Sequence, residues 1–254
     1  MPVRLRSNRP EERRLRLSET ALHWICLGLV CLGTLSVAVI QRGQLHLDDG
    51  EALEALNQAT MQGGAIMSRV SMSVLYSALA MLAVPVYARL LTAAMDRKEN
   101  RKLALLCLTG CALASEAPYD WAMGGQWFDM GVQNPVWGLL LAGVMLIFFQ
   151  ERASAGLGAK ILIACGAAAW ALLLRVYTGP VLIILCALMA LVKNRRIVLA
   201  GGAVVSLLHF PAPLGMLLVP LYDEQSPAAK YWLFALLYPA HLLVCGMLGL
   251  LMAG

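Results

Sequence analysis

The feature that most constrains this chain is the length of its apolar runs. Residues 21–40 and residues 231–253 contain no Asp, Glu, Lys or Arg. About 20 such residues suffice for a helix that crosses the hydrocarbon core of a bilayer. Because water is absent there, the backbone must satisfy its own hydrogen bonds, which favours helices. We therefore predict an all-α, polytopic integral membrane helix bundle that is surrounded by the lipid bilayer.

The composition extends this fold class to the whole chain. Apolar residues make up 60% of the 254 residues and charged residues 14%, whereas soluble domains average about 25% charged residues. This balance excludes a water-soluble globular enzyme and leaves no room for a sizeable soluble domain. The apolar runs predict eight transmembrane helices, at about 21–40, 70–95, 103–122, 134–150, 155–174, 178–192, 197–219 and 231–253. Six crossings are the alternative if the fifth and sixth helices form a re-entrant pair. Two prolines predict a kink or break within the seventh.

The charged residues predict the orientation of the bundle. Residues 1–19 form a basic arm with six arginines, and residues 20–254 form a single multi-span membrane domain. With this arm in the cytoplasm, fifteen Lys and Arg lie on the cytoplasmic side and four on the other side, a distribution typical of inner-membrane proteins. Eight crossings then place both termini in the cytoplasm. The same distribution explains the net charge of +5 without a nucleic-acid partner.

Two carboxylates lie within the predicted third span. Glu116 and Asp120 are four residues apart, which places them on one face of a helix. A carboxylate in an apolar site can act as a general base near neutral pH, and ionisable groups inside a membrane mark candidate functional sites. The alternative is a structural ion pair or helix cap. Both interpretations stay open for Glu116, whereas we favour the structural one for Asp120, which lies at the interface.

Other polar side chains also lie within the predicted spans. His241 lies near the middle of the eighth span, where an imidazole can accept a proton near pH 7 or serve as a hydrogen-bonded core residue. Arg89 lies about 9 Å inside the cytoplasmic end of the second span. One interpretation is that this arginine binds an anion. The alternative is that its long side chain reaches the lipid headgroups. The seven cysteines lie in apolar runs without metal-ligand spacing, so we predict no metal site.

Three segments of the chain resemble a known family. Residues 115–120 have the sequence Ser-Glu-Ala-Pro-Tyr-Asp, residues 133–140 Gln-Asn-Pro-Val-Trp-Gly-Leu-Leu, and residues 238–243 Tyr-Pro-Ala-His-Leu-Leu. In order and spacing they are similar to the Ser-Glu-x-Pro-Phe/Tyr-Asp, Gln-Asn-Val-x-x-x-Leu-Leu and Tyr-Pro-x-His-Leu-Leu motifs of TraX-type proteins, a family that includes the TrbP conjugal transfer proteins. Residues 82–87 and 177–179 match the family more weakly.

The resemblance implies a role in plasmid conjugation at the bacterial inner membrane. It implies acetylation of the amino-terminus of pilin, with acetyl-CoA as the donor and the pilin subunit as the partner. Two positions depart from the family pattern. The family has an Asp-His pair in its first span, whereas residues 31–39 contain neither residue type, and Met81 stands where the family has an arginine.

The residues can be assigned roles on the hypothesis of an acetyltransferase. Acetylating an α-amine requires a neutral amine, a base that takes its proton and a hydrogen-bond donor to the thioester carbonyl. The predicted catalytic residues are Glu116 and His241. The predicted substrate contacts are Tyr119, Asp120, Asn134 and Tyr238, and the predicted contacts to the phosphates of coenzyme A are Arg89, Arg97 and Lys98.

Two other functions remain as alternatives. A non-catalytic membrane component would bind pilin subunits during pilus assembly without changing them chemically. A small secondary transporter would explain a broken seventh span. The transporter is the weaker alternative because no second broken segment occurs at a matching position of a repeat.

Overall fold

The computed structural model describes residues 16–45 and 64–253. Most of the predicted basic arm, residues 1–15, lies outside the described residues, as do residues 46–63 of the connection between the first two spans. Within the described ranges the chain is helical, and its β-pairing is limited to two isolated bridges, Leu17 with Tyr222 and Gln133 with Val176. The predicted all-α fold is confirmed for this part of the chain.

Every predicted span contains at least one helix. The α-helices of the described ranges are α1 (Glu19–Leu35), α2 (Gly64–Met81), α3 (Ala83–Asp96), α4 (Arg101–Gly124), α5 (Val136–Glu151), α6 (Leu157–Leu173), α7 (Gly179–Leu191), α8 (Arg195–Ser206) and α9 (Tyr231–Ala253). A π-helix continues α1, and three short 3₁₀ segments follow α8. The π-helix covers Ser36–Gln44, and the 3₁₀ segments cover Leu207–His209, Ala212–Leu217 and Val219–Leu221.

Local chemistry explains several of the helix ends. Ser18 precedes α1, and its hydroxyl accepts a hydrogen bond from the Ala21 amide at 3.2 Å. Asn194 caps α8 in the same way, since such side chains satisfy amides that lack a helical partner. Gly125 ends α4 with a φ of 74°, a left-handed conformation that glycine adopts without steric cost.

Three helical stretches are long and apolar enough to cross a membrane. Among the described residues they are Glu19–Gln44, Met67–Asp96 and Tyr231–Ala253. Shorter apolar helices of 10 to 17 residues cover Val136–Glu151, Leu157–Leu173, Gly179–Leu191 and Ala212–Leu221. Length and composition therefore agree with a membrane protein.

α1 and α9 run parallel to each other. At their first turns the Tyr231 hydroxyl donates to Glu19 Oε1 at 2.8 Å. Toward their C-terminal ends the π-helix contacts α9 so closely that a Cβ added at Gly43 would lie 2.7 Å from the Gly249 carbonyl oxygen. If both helices cross the membrane, they cross it in the same direction. This arrangement does not support the prediction of both termini on the cytoplasmic side, because that prediction requires antiparallel helices.

The predicted seventh span is a helical hairpin. α8 ends at Ser206, and the 3₁₀ segments fold back along it, so that Met216 contacts Gly202 and Arg195 Nη2 donates to the Pro220 carbonyl at 2.9 Å. The two prolines at the bend lack the N–H that a continuing helix needs. The predicted break is confirmed, whereas the hairpin does not support the predicted single crossing over 197–219. Because the hairpin returns to the end where α8 begins, α9 starts from that same end.

α3 is the central helix of the bundle. Most of its residues are buried: Met95 belongs to the core shared with α5 and α7, and Leu90 belongs to the core shared with α1. The outer faces of α4, α6 and α9 instead expose leucines such as Leu106, Leu162 and Leu251. Such exposed apolar faces are suited to contact lipid chains.

We expect Gly249→Ala to destabilise the bundle by about 1–3 kcal/mol, the usual cost of overpacking. An added Cβ would overlap the Ala38 carbonyl oxygen, so the π-helix and α9 would have to separate. The control is Gly166→Ala in α6, where an added Cβ meets nothing within 4 Å. The measurement is the thermal midpoint of each purified variant in one detergent, and equal midpoints would contradict the close approach.

Candidate functional site

A long cavity lies between α1, the π-helix, α2, α3, α4 and α9, and residues of α5 and α7 complete its wall. Its volume is about 550 Å³, and its lining extends along α1 and the π-helix from His23 to Gln41 and along α4 from Ala104 to Met123. At about 1.5 Å per residue, each of these stretches is about 27 Å long. We call this space the long cavity.

The carboxylate, imidazole and side-chain amide groups of the long cavity lie toward its ends. We call the end of the bundle where α1, α4 and α9 begin the Glu19 end, and the opposite end the Asp120 end. His23 and Tyr231 line the cavity near the Glu19 end. Gln41, Asp120 and Asp129 line it near the Asp120 end. Most of the lining between them is apolar.

Glu116 joins α4 to the start of α5. Its Oε2 accepts hydrogen bonds from the side-chain amide of Asn134 and from Trp137 Nε1, the latter at 2.7 Å. Asn134 is fully buried, donates to the Ala112 carbonyl at 3.1 Å and accepts from the Val136 amide at 2.9 Å. The predicted catalytic Glu116 and the predicted substrate contact Asn134 thus form a helix junction, and neither lines the long cavity.

Asp120 is a buried carboxylate in the wall of the long cavity. Its exposed fraction is 4%. Its Oδ2 accepts a hydrogen bond from the Asp129 amide at 2.8 Å, whereas its Oδ1 has no hydrogen-bond partner among the described residues. A buried carboxylate oxygen without a partner carries a large desolvation cost, so it is suited to accept a hydrogen bond from a bound ligand.

Residues 238–243 contain two predicted site residues, of which Tyr238 lines the cavity and His241 does not. His241 does not line the cavity: its Nε2 lies 3.1 Å from Thr34 Oγ1, and its ring contacts the Tyr238 ring at a centroid distance of 5.1 Å. Tyr238 does line the cavity, as does Tyr119 of α4, and the two tyrosines belong to one buried cluster. Of the predicted site residues, Tyr119, Asp120 and Tyr238 therefore share the cavity.

The arginines predicted to bind phosphate have partners within the chain. Arg97 Nη1 lies 2.6 Å from Glu19 Oε2. Arg89 Nη2 lies 2.6 Å from Glu224 Oε1, and its guanidinium lies 4.8 Å from the centroid of the Tyr222 ring. Lys98 is exposed. None of the three predicted cations lines the long cavity.

Glu19 is a buried polar centre that the sequence analysis missed. Its side chain is fully buried and receives hydrogen bonds from Arg97, from the Tyr231 hydroxyl at 2.8 Å and from the Tyr222 hydroxyl at 3.2 Å. Burial and the Glu19 carboxylate raise the pKa of Tyr222 to about 12, so this phenol stays protonated as a donor. The available signal was an acidic residue next to Ser18, at the start of the first apolar run.

The π-helix places polar groups at the Asp120 end. Gln41 Nε2 donates to Ser73 Oγ at 2.8 Å. Arg42 Nη1 donates to the carbonyl oxygens of Trp121 and Ala122 at 2.9 and 3.1 Å. A cation at these last carbonyls of α4 stabilises the negative end of the helix dipole. π-helical turns occur frequently at functional sites, and this one borders the end of the cavity that contains Asp120.

Comparisons of the chain with family models, with curated proteins and with solved structures find no match. In the described ranges no group of three or more His, Cys, Asp or Glu side chains is arranged to hold a metal ion. The chemistry that the cavity offers is thus that of one buried carboxylate, Asp120, and several tyrosines, Tyr119 and Tyr238 among them, in a mostly apolar space.

We expect Arg97→Ala to lower the free energy of unfolding by about 3–5 kcal/mol, because it leaves the buried Glu19 carboxylate without its cation. Lys98→Ala is the matched control: it removes an exposed cation at the next position and should change stability by less than about 0.5 kcal/mol. Unfolding in a denaturing detergent titration measures both. Equal effects of the two substitutions would contradict a structural role of the Glu19–Arg97 pair.

Proposed function

We propose that this chain is a TraX-like inner-membrane protein of a conjugation system that acetylates the amino-terminal amine of pilin. The observation that carries the proposal is the convergence of the three segments that resemble the family. Glu116 of the first segment bonds Asn134 and Trp137 of the second, and Tyr119 of the first packs in one cluster with Tyr238 of the third. Segments that are more than 100 residues apart thus pack together beside one cavity, which Tyr119 and Tyr238 line.

Asp120 is the best-placed base for this reaction, in preference to Glu116. The carboxylate accepts one proton from the pilin ammonium group, whose pKa in solution is about 7.7–8.0. The neutral nitrogen then forms the C–N bond as the C–S bond of the thioester breaks, and the nitrogen loses a second proton to the leaving thiolate. The Tyr238 hydroxyl supplies a hydrogen-bond donor for the carbonyl oxygen in the same wall.

The long cavity offers a route between the two ends of the bundle for this transfer. Coenzyme A carries its phosphates at one end of a thin, flexible arm and its thioester at the other. Lys98 is exposed in the connection between α3 and α4, at the Glu19 end, and suits a phosphate. The arm would then extend through the cavity toward Asp120.

The proposal includes a revised membrane topology. α1 to α7, with α2 and α3 forming one crossing, provide six crossings, the hairpin of residues 195–221 re-enters, and α9 provides a seventh crossing. The amino-terminus is then cytoplasmic and the carboxy-terminus external. This arrangement moves Lys230 to the cytoplasmic side, so the external connections retain only Arg42, Arg69 and Arg175 of the Lys and Arg residues, which strengthens the positive-inside distribution.

Reporter fusions at the carboxy-terminus test this topology. We expect a fused alkaline phosphatase, which is active only outside the cytoplasm, to be active and a fused green fluorescent protein to be dark. A fusion after Lys193, between α7 and the hairpin, is the control and should give the opposite pair of signals. An inactive phosphatase and a fluorescent green fluorescent protein at the carboxy-terminus would show that it is cytoplasmic. This result would overturn the seven-crossing topology in favour of eight crossings.

Asp120→Asn tests the proposed chemistry. We expect it to reduce N-terminal acetylation of the partner pilin by at least about 100-fold, the lower range for loss of a general base. Intact-mass analysis of pilin from cells that carry each variant is the measurement. Glu151→Gln, an exposed carboxylate at the other end of the bundle, is the control. Full acetylation in both Asp120→Asn and Glu116→Gln would sink the assignment of a carboxylate base.

A non-catalytic pilin-binding component is the second candidate, and one observation favours it. Residues 31–39 lack the family's Asp-His pair. From this stretch the neutral hydroxyl of Thr34 lies 3.1 Å from His241 Nε2, so His241 has no acidic partner there. This candidate predicts that deleting the gene changes the yield of pilin and leaves its mass unchanged. A mass difference of one acetyl group between the two strains would exclude it.

A further inference from the structure

The length of the long cavity favours an extended occupant. Its lining runs for about 27 Å along α1 and the π-helix, and its volume is about 550 Å³. An extended hydrocarbon chain can lie along a space of this length, with its head group at one end.

The lining of the cavity suits such a chain. Its middle part is formed by apolar side chains such as Val84, Leu108, Leu139 and Leu182. The Asp and Glu side chains in the described lining are Asp120 and Asp129, both near one end. Apolar cavities offer water few hydrogen-bond partners and readily take up apolar molecules, and a bilayer supplies hydrocarbon chains at high concentration.

Asp120 selects the head group of the occupant. It is 4% exposed, and its Oδ1 accepts no hydrogen bond from any part of the chain that the structure describes. The Asp129 side chain lines the same end of the cavity. A buried carboxylate gains most from a partner that is both positively charged and a hydrogen-bond donor, which an ammonium group provides and a phosphoglycerol or a fatty acid does not.

We propose that the long cavity binds one acyl chain of an aminophospholipid of the ethanolamine type, with the lipid ammonium group at Asp120. The second acyl chain of the lipid stays in the bilayer. This inference goes beyond the proposed function, because binding requires neither pilin nor a thioester. The lipid is the occupant of the resting protein. A substrate amine must displace its head group from Asp120, and the arm of an acyl donor must displace its acyl chain from the cavity.

Photocrosslinking of the full chain in phosphatidylcholine nanodiscs tests the proposal. The probe is a phosphatidylethanolamine with two 16-carbon chains, one of which carries a diazirine at its middle. We expect saturable labelling, at one probe per chain, of cavity-lining residues such as Leu108 and Leu139. Unlabelled dipalmitoyl phosphatidylethanolamine should compete at least about tenfold better than dipalmitoyl phosphatidylglycerol, the ratio expected for one charged hydrogen bond. Unsaturable labelling confined to outward residues such as Leu106 and Leu251 would overturn the proposal.

Matched variants test separately the binding of the acyl chain and the recognition of the lipid head group. Ala235→Phe places a ring in the cavity and should abolish the saturable labelling. Ala240→Phe makes the same change on the exposed face of α9 and should leave the labelling intact. Asp120→Asn should keep the labelling but reduce the preference for ethanolamine over glycerol below twofold. An unchanged preference in Asp120→Asn would refute the head-group assignment.

A measurement on the protein without substitutions tests the proposal even if a variant fails to fold. A competitor lipid with two 8-carbon chains should compete at least about tenfold less well than the 16-carbon lipid, because its chain fills only part of the cavity. Equal competition by the two lengths would contradict binding along the long cavity. Because the assay contains no pilin and no acyl donor, its failure leaves the acetylation proposal to its own mass measurement.

Discussion

The buried carboxylate of Glu19 determines how the ends of the bundle meet. A charge that is removed from water destabilises a fold unless it is paired and hydrogen-bonded. Its partners come from three distant parts of the chain: Arg97 after α3, Tyr222 after the hairpin and Tyr231 at the start of α9. All three segments must therefore reach the first turn of α1. This requirement keeps α9 parallel to α1 and makes the residues between α7 and α9 return to the end from which they left.

The positions of the helices could be predicted from the sequence, but their directions could not. Apolar runs and the prolines at the bend identify helices and a break because each depends on nearby residues. The direction of α9 depends on whether residues 195–221 cross or return, which is decided by contacts such as Arg195 with Pro220. The charge count alone did not reveal it, since moving Lys230 from one side to the other changes a strongly biased distribution only slightly.

The candidate site was predicted in part, for a similar reason. Helical spacing places Glu116 and Asp120 near one face, but an interval of four residues leaves about 40° between them, and Pro118 interrupts the hydrogen-bond ladder of α4 between the two. One carboxylate therefore meets the start of α5, where Asn134 and Trp137 bind it. The other meets the long cavity. Spacing identifies candidate pairs, whereas tertiary packing decides which member stays accessible to a ligand.

The same ion pair that holds the bundle together limits how the Glu19 end can bind an anion. A phosphate that took Arg97 from Glu19 would leave a fully buried carboxylate without its cation, and the lost stabilisation would offset the new contact. Arg89 differs, because its partner Glu224 is largely exposed and regains water when released. Lys98 needs no exchange at all. Of the three cations, Lys98 and Arg89 could therefore bind an anion at least cost, whereas Arg97 is needed to pair with Glu19.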